Sequence, residues 1–124
     1  MMKSELVRLF RSFGFAGKGI RHLFISEPNA RIHLALTALA GALALLLGFS
    51  AIEWAILSLT IGLVLAAEAF NTAIEALTDL LHPEPHPQVA IVKDVAAGAV
   101  ALSALMAVIV ALFLYIPKLL ALLH

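Results

Sequence analysis

Apolar residues along the chain gather into three long blocks, at roughly 32–52, 54–67 and 95–117, each close to the ~20 residues that a helix needs to cross a bilayer core. The pattern predicts an all-α membrane protein with three transmembrane helices. With their polar flanks included, the spans read as 28–50, 52–81 and 88–121, within a single domain over 1–124 that opens with an amphipathic segment at 1–27. In that segment Leu6, Phe10, Phe13, Gly17, Ile20 and Phe24 recur every three or four positions as one stripe of a helix, and Arg8, Arg11 and Lys18 lie off it. A helix of this kind rests in the headgroup layer and grips anionic lipid. Gly14, Gly17 and Gly19 weaken its middle, which leaves one helix or two short ones with a bend as the alternatives.

The ends of the spans carry their own signals. In SEPNARIH (26–33) Ser26 can cap a helix, Pro28 falls in a first turn that loses no hydrogen bond to it, and Glu27 sits at the positive end of the helix. Trp54 is an interfacial anchor for the second span, and Ser58, Gly62 and Ala66 follow at four-residue spacing, a ridge of small side chains that lets helices approach closely. Ala69, Ala73 and Ala76 continue the small residues and mark this helix for the centre of the packing. LHPEPHPQ (81–88), with Pro83, Pro85 and Pro87, cannot be helical and makes a stiff connection. His82 and His86 within it lack the i, i+4 geometry of a metal pair and have no cysteine beside them, so they read as loop histidines. GFAGKG (14–19) lacks the spacing and terminal Ser or Thr of a phosphate loop, and no strand precedes it.

AEAFNTAIEALTDL (67–80) interrupts the apolar pattern with Glu68, Asn71, Glu75 and Asp79. At about 100° per residue these four fall within a sector of roughly 80°, a single polar column on one helix face. At ~1.5 Å per residue, Glu68 lies about 21 Å from Trp54 along the helix and Asp79 roughly 16 Å beyond Glu68. The column therefore starts at lipid depth and ends in water. An ionisable group at that depth costs several kcal/mol unless paired or protonated, so it is seldom retained for packing alone. A proton relay or a structural acid accounts for Glu68 by itself, and a site accounts for the whole column.

Composition agrees with the pattern: 63% apolar and 13% charged residues exclude an ordinary soluble domain. The absence of cysteine excludes disulfides, thiolate metal sites and cysteine nucleophiles. The formal net charge of zero hides an asymmetry, since Lys3, Arg8, Arg11, Lys18, Arg21 and Arg31 precede or open the first span, leaving Lys93 and Lys118 for the rest. The positive-inside bias makes this end cytoplasmic, which puts the 82–94 connection inside and the Glu53 and Lys118 ends outside. The basic N-terminal segment has no short apolar core followed by a cleavage pattern, so it is expected to belong to the mature protein.

Phosphoryl transfer needs a divalent metal on one or two carboxylates, cations for the phosphates, and a base for the attacking hydroxyl. Glu27 and Glu75 can meet near the interface as metal ligands, while Lys93, Arg8 and Arg11 can neutralise phosphates. Glu68, deeper and desolvated, suits a base that receives a proton from a hydroxyl arriving through the membrane. A membrane-borne alcohol and a soluble phosphate donor can meet along such a column.

The run E-x-x-N-[ST]-A-I-E-x-x-x-D at 68–79, EPHPQVAIVKDVAAGAV (84–100), SEPNARIH and RLFRSFGFAGKGIRHLF (8–24) together resemble the small bacterial membrane kinases that phosphorylate diacylglycerol or undecaprenol, over nearly the whole chain. The resemblance implies an interfacial helix and three transmembrane helices in a homotrimer with shared sites, in the bacterial inner membrane, with ATP as donor and Mg2+ as cofactor. It implies Glu68 as catalytic base with Asn71 beside it, Glu27 and Glu75 on the metal, and Arg8, Arg11, Lys93 and Asp94 around the nucleotide, with Asp79 on the nucleotide side. Family members usually carry an aromatic residue where this chain has Pro85 and often one where it has Gly17, both bearing on how adenine is held. FNT, HPEPHP and KDVAAGAV look more like the undecaprenol branch, so a polyprenol is the expected acceptor and diacylglycerol the alternative. No nucleic-acid partner is expected. The rival class is an oligomeric transporter or channel conducting protons or divalent cations, yet between residues 56 and 67 the second span offers it only Ser58 and Thr60.

Overall fold

The computed structural model describes residues 2–123, with side chains from Ser4 onward. Its four helices are α1 (Met2–Ser26), α2 (Pro28–Leu46), α3 (Ala51–Leu81) and α4 (Pro87–Ala121), of which the last three are long and apolar enough to cross a membrane. α1 is one continuous helix through its three glycines. The backbone breaks at Glu27, which takes an extended conformation as the N-cap of α2, and Pro28 occupies the first turn. Ser26 is not the cap: it is still helical, and its hydroxyl donates back to the His22 carbonyl at 2.9 Å. A serine near a helix end can bond the preceding turn of its own helix instead of opening the next one.

α2 stops at Leu46, inside the expected 28–50 span, because Gly48 adopts φ 64°. The Phe49 and Gly48 amides then return to the carbonyls of Ala44 (3.1 Å) and Leu45 (3.3 Å), closing the helix with a left-handed glycine turn. α3 starts at once with a reciprocal cap, in which the Ser50 amide donates to Glu53 Oε2 (2.6 Å) and the Glu53 amide to Ser50 Oγ (3.3 Å). At 31 residues α3 is about 46 Å long, well beyond a ~30 Å hydrocarbon core. Residues 82–86 connect it to α4, where His86 is the N-cap and its Nδ1 accepts the Gln88 amide at 3.1 Å, with Pro87 next.

α3 packs on each of the other helices, most extensively on α4. Its inward face carries Leu57, Val64 and Glu68, against Ala96, Ser103 and Leu114 of α4. An apolar cluster of Ala44, Phe49, Leu57 and Leu114 closes one end of the bundle; the other end, where α1, Leu81 and Pro87 lie, is polar. The small residues Ser58, Gly62 and Ala66 are exposed, and the helical repeat puts them ~135° from the polar column. Both ridge and column thus exist, on different sides of α3, and only the column side is covered within one chain.

Candidate active site

Burial falls steadily along the column. The Glu68 side chain is 3% exposed, Asn71 and Glu75 are half-buried, and the Asp79 side chain is 64% exposed. Apolar neighbours Leu57 and Val64 continue the same face toward the far end, which is why a carboxylate four residues after Val64 is drawn inside the bundle.

The interactions of the column differ with depth. Glu68 Oε1 lies 3.1 Å from His33 Nε2 on α2. That contact lacks the angles of a hydrogen bond, so among the described residues Glu68 Oε1 is a buried acceptor without one. Asn71 Nδ2 donates to Glu75 Oε1 at 3.1 Å across one helical turn, while Asn71 Oδ1 and Thr72 Oγ1 are likewise buried and unsatisfied. Each such group costs roughly 1–3 kcal/mol. Three within five residues gather buried polar atoms that find no hydrogen bond among the described residues. Farther out, the Asp79 carboxylate pairs with the Lys93 ammonium, tying α3 to α4.

Two hollows flank the column. One, of about 530 Å³, lies beyond its outer end and is lined by Asp79, residues 82–87, Val89, Ala90 and Lys93. There the His82 and His86 rings stand 4.9 Å apart, His82 Nδ1 lies 2.9 Å from the Glu84 carbonyl, and His86 caps α4, so both histidines shape the turn. The other, of similar volume, is an apolar groove between α2 and α4 over α3, running from His33 past Thr37, Val64 and Ala107 to Tyr115 and Leu119.

Glu27 is half-buried at the N-cap of α2 and its side chain makes no capping bond. Since α2 and α3 meet at His33 and Glu68, Glu27 (six residues on) and Glu75 (seven on) both lie about 9–10 Å nearer the polar end, at one height. Within the protomer no group of three or more His, Asp or Glu side chains is gathered for a metal among the described residues. Arg8, Arg11 and Asp94 are exposed, and among the described residues no ion pair links them to the column.

The structure thus joins Asp79 to Lys93 and Asn71 to Glu75, and it adds His33 and Thr72 to the residues singled out from sequence. His33 carried a signal of its own, as an ionisable residue inside an apolar span.

A multi-pass membrane enzyme working between lipid and water has the parts described above, and comparison with known sequences says which. The profile of the prokaryotic diacylglycerol kinase family matches residues 14–115. The chain is 39% identical to the undecaprenol kinase of Bacillus subtilis (strain 168) over 117 residues, 94% of this chain and 95% of that one. It is 42% identical to a diacylglycerol kinase of Synechocystis sp. over 115 residues, 92% of this chain and 66% of that one. With the diacylglycerol kinase of Escherichia coli (strain K12) it shares 32% over 102 residues, 82% and 84% of the two chains. The chain belongs to the prokaryotic diacylglycerol kinase family, and it is a lipid kinase, a phosphotransferase with an alcohol as acceptor.

Proposed function

We propose that this lipid kinase transfers the γ-phosphoryl group of ATP to the terminal hydroxyl of a polyprenol at the cytoplasmic face of the bacterial inner membrane. The observation that carries the reading is the column itself, buried at Glu68 beside an apolar groove and exposed at Asp79 beside a hollow that Lys93 and Glu84 also line. A linear lipid lying in the groove would bring its hydroxyl to the His33 and Glu68 end. Glu68 then takes the hydroxyl proton while the lipid oxygen forms its bond to phosphorus and the bond to the ADP oxygen breaks. Asn71, its Nδ2 on Glu75 and its Oδ1 without a hydrogen bond among the described residues, stands between base and phosphates. Lys93, held on the rim by Asp79, neutralises phosphate charge, as do Arg8 and Arg11, with Asp94 on the nucleotide side.

Hard carboxylate oxygens fit Mg2+, which takes one or two carboxylates and completes its shell with phosphate oxygens and water. Glu27 and Glu75, level with one another, are the residues to hold it, and the ion would neutralise charge on the transferring phosphoryl group. The exposed ridge at Ser58, Gly62 and Ala66 supports a homotrimer in which α3 of one chain packs on its neighbours, with Arg8, Arg11 and Glu27 serving the column of another chain. The cytoplasmic placement rests on the Lys and Arg bias toward the polar end.

The polyprenol preference rests on the full-length likeness to an undecaprenol kinase and on the FNT, HPEPHP and KDVAAGAV segments. Diacylglycerol is a second reading favoured by the 42% identity to a diacylglycerol kinase. A channel finds little support, since the Thr60 hydroxyl donates to its own helix at Ile56 (2.8 Å) and Ser58 faces outward. The test is transfer from radiolabelled ATP in mixed micelles. A higher kcat/KM with undecaprenol than with diacylglycerol is expected; the reverse order would reassign the substrate, and no transfer to either would remove the reading.

A further inference from the structure

We infer that His33 is the positioning residue of the transfer: its imidazole pairs with Glu68 across the α2–α3 contact and keeps the buried carboxylate anionic at the end of the groove. The inference rests on the reading of Glu68 as the base and adds a residue from another helix to it.

A base must be free of its proton when the alcohol arrives. Yet an isolated carboxylate removed from water is strongly disfavoured and takes up a proton instead, unless it is paired. Glu68 is 3% exposed and its Oε1 has no hydrogen bond among the described residues, so the backbone there does not supply the pairing. His33 Nε2, 3.1 Å away, is the cation-forming group in contact with it. The described ion pairs of Asp79 with Lys93 and of Glu53 with Lys118 engage the other cations of α4 elsewhere.

Two further facts give His33 more than a packing role. Its side chain is 21% exposed against 3% for Glu68, so one imidazole spans from the buried carboxylate to a more open edge. It also lines the apolar groove at the end nearest Glu68. After transfer Glu68 holds the hydroxyl proton; the imidazolium releases the proton of its outward nitrogen to water, and once the ring turns that freed nitrogen toward Glu68 it accepts the carboxyl proton, restoring the starting pair. The proton balance closes with water as the final acceptor. A histidine at this place thus both pairs with the carboxylate and supplies the route by which it is reset.

The experiment compares the full-length chain with His33→Leu, His33→Gln and Glu68→Gln in mixed micelles, using radiolabelled ATP and undecaprenol, and records infrared spectra of each. For His33→Leu, kcat should fall about 10- to 100-fold, the range for outer partners of functional groups, with the KM for ATP unchanged. A protonated-carboxyl C=O stretch should appear in His33→Leu and vanish in the His33→Leu/Glu68→Gln double variant. His33→Gln, smaller in perturbation and uncharged, should lie between wild type and His33→Leu in kcat. Wild-type kcat in His33→Gln, or a loss of kcat in His33→Leu without the new band, would overturn the pairing. If Glu68→Gln itself remains active, the base reading fails; if Glu68→Gln is inert while the His33 variants behave as wild type, only the role of His33 fails.

Discussion

At the end of the bundle where α2 turns into α3, polar groups meet partners inside the chain. Lys118 Nζ reaches the Gly48 carbonyl (3.3 Å) and Glu53 Oε2 (3.1 Å) and lies 5.9 Å from the centre of the Phe49 ring. The Tyr115 hydroxyl donates to the Ala40 carbonyl at 2.6 Å, and Phe49 packs between Tyr115 and Trp54 at ring separations of 4.9 and 6.1 Å. At the opposite end Glu68, Asn71 and Thr72 keep buried oxygens without hydrogen bonds among the described residues. The same sequence can evidently satisfy polar atoms where stability alone is served. The difference sets a fastened end, whose polar atoms find partners within the chain, against an end whose buried polar atoms find none among the described residues, and the proposed reaction is read at the second.

The largest effect should come from the deepest member of the second end. Glu68→Gln should lower transfer by ~10²-fold or more, the usual share of a general base, while helicity stays at the wild-type level. Retention of more than about a tenth of turnover would end the assignment. Glu27→Ala and Glu75→Ala should next raise the magnesium concentration needed for half-maximal activity steeply; a titration identical to wild type in both variants would remove them as ligands.

Mixing Glu68→Gln with Glu27→Ala chains before refolding should restore activity in a fraction of mixed oligomers. No recovery, with mixing established by crosslinking, would place each site within one chain. Gly62→Leu should leave the protomer helical, because an added Cβ at Gly62 meets nothing within 4 Å, yet weaken the oligomer and reduce activity with it. An oligomer of wild-type stability would separate the small-residue ridge from assembly. The smallest change belongs to the fastened end: Tyr115→Phe should lower stability by about 0.5–1.5 kcal/mol, read as a lower Tm, with kcat retained. A large loss of turnover there would erase the contrast between the two ends.

Much of this was visible in residue order because it depends on one helix at a time. Block length announces the spans, and the 100° repeat alone puts Glu68, Asn71, Glu75 and Asp79 on one face of α3. The spacing Ser50-x-x-Glu53 was readable as a capping box too, although the end it fastens shows no chemistry in the sequence. What stayed hidden depends on the register between helices. His33 looks like one polar residue in a helix start until α2 is laid against α3 and its ring meets Glu68. Tyr115 and Ala40 are 75 residues apart, and nothing local tells that one reaches the other. Ser26 was misread for a different reason, since a serine one residue ahead of the true cap has the same composition signal and a competing backbone partner. Whether three glycines bend α1 could not be read either, because helix propensity is a weak prior that its surroundings override.

The bond from Tyr115 to Ala40 also has a mechanical side. α2 is joined to α3 far less extensively than α4 is, and this one hydroxyl pins it to α4 well away from the reacting groups. A rod held most firmly near one end swings about that end, with a travel that grows along its length. His33 lies seven residues, about 10 Å, from the pin and Glu27 farther still, so a small tilt at Ala40 becomes a larger stroke at both. α2 is in this sense a lever with its fulcrum near Tyr115 and its long arm along the groove.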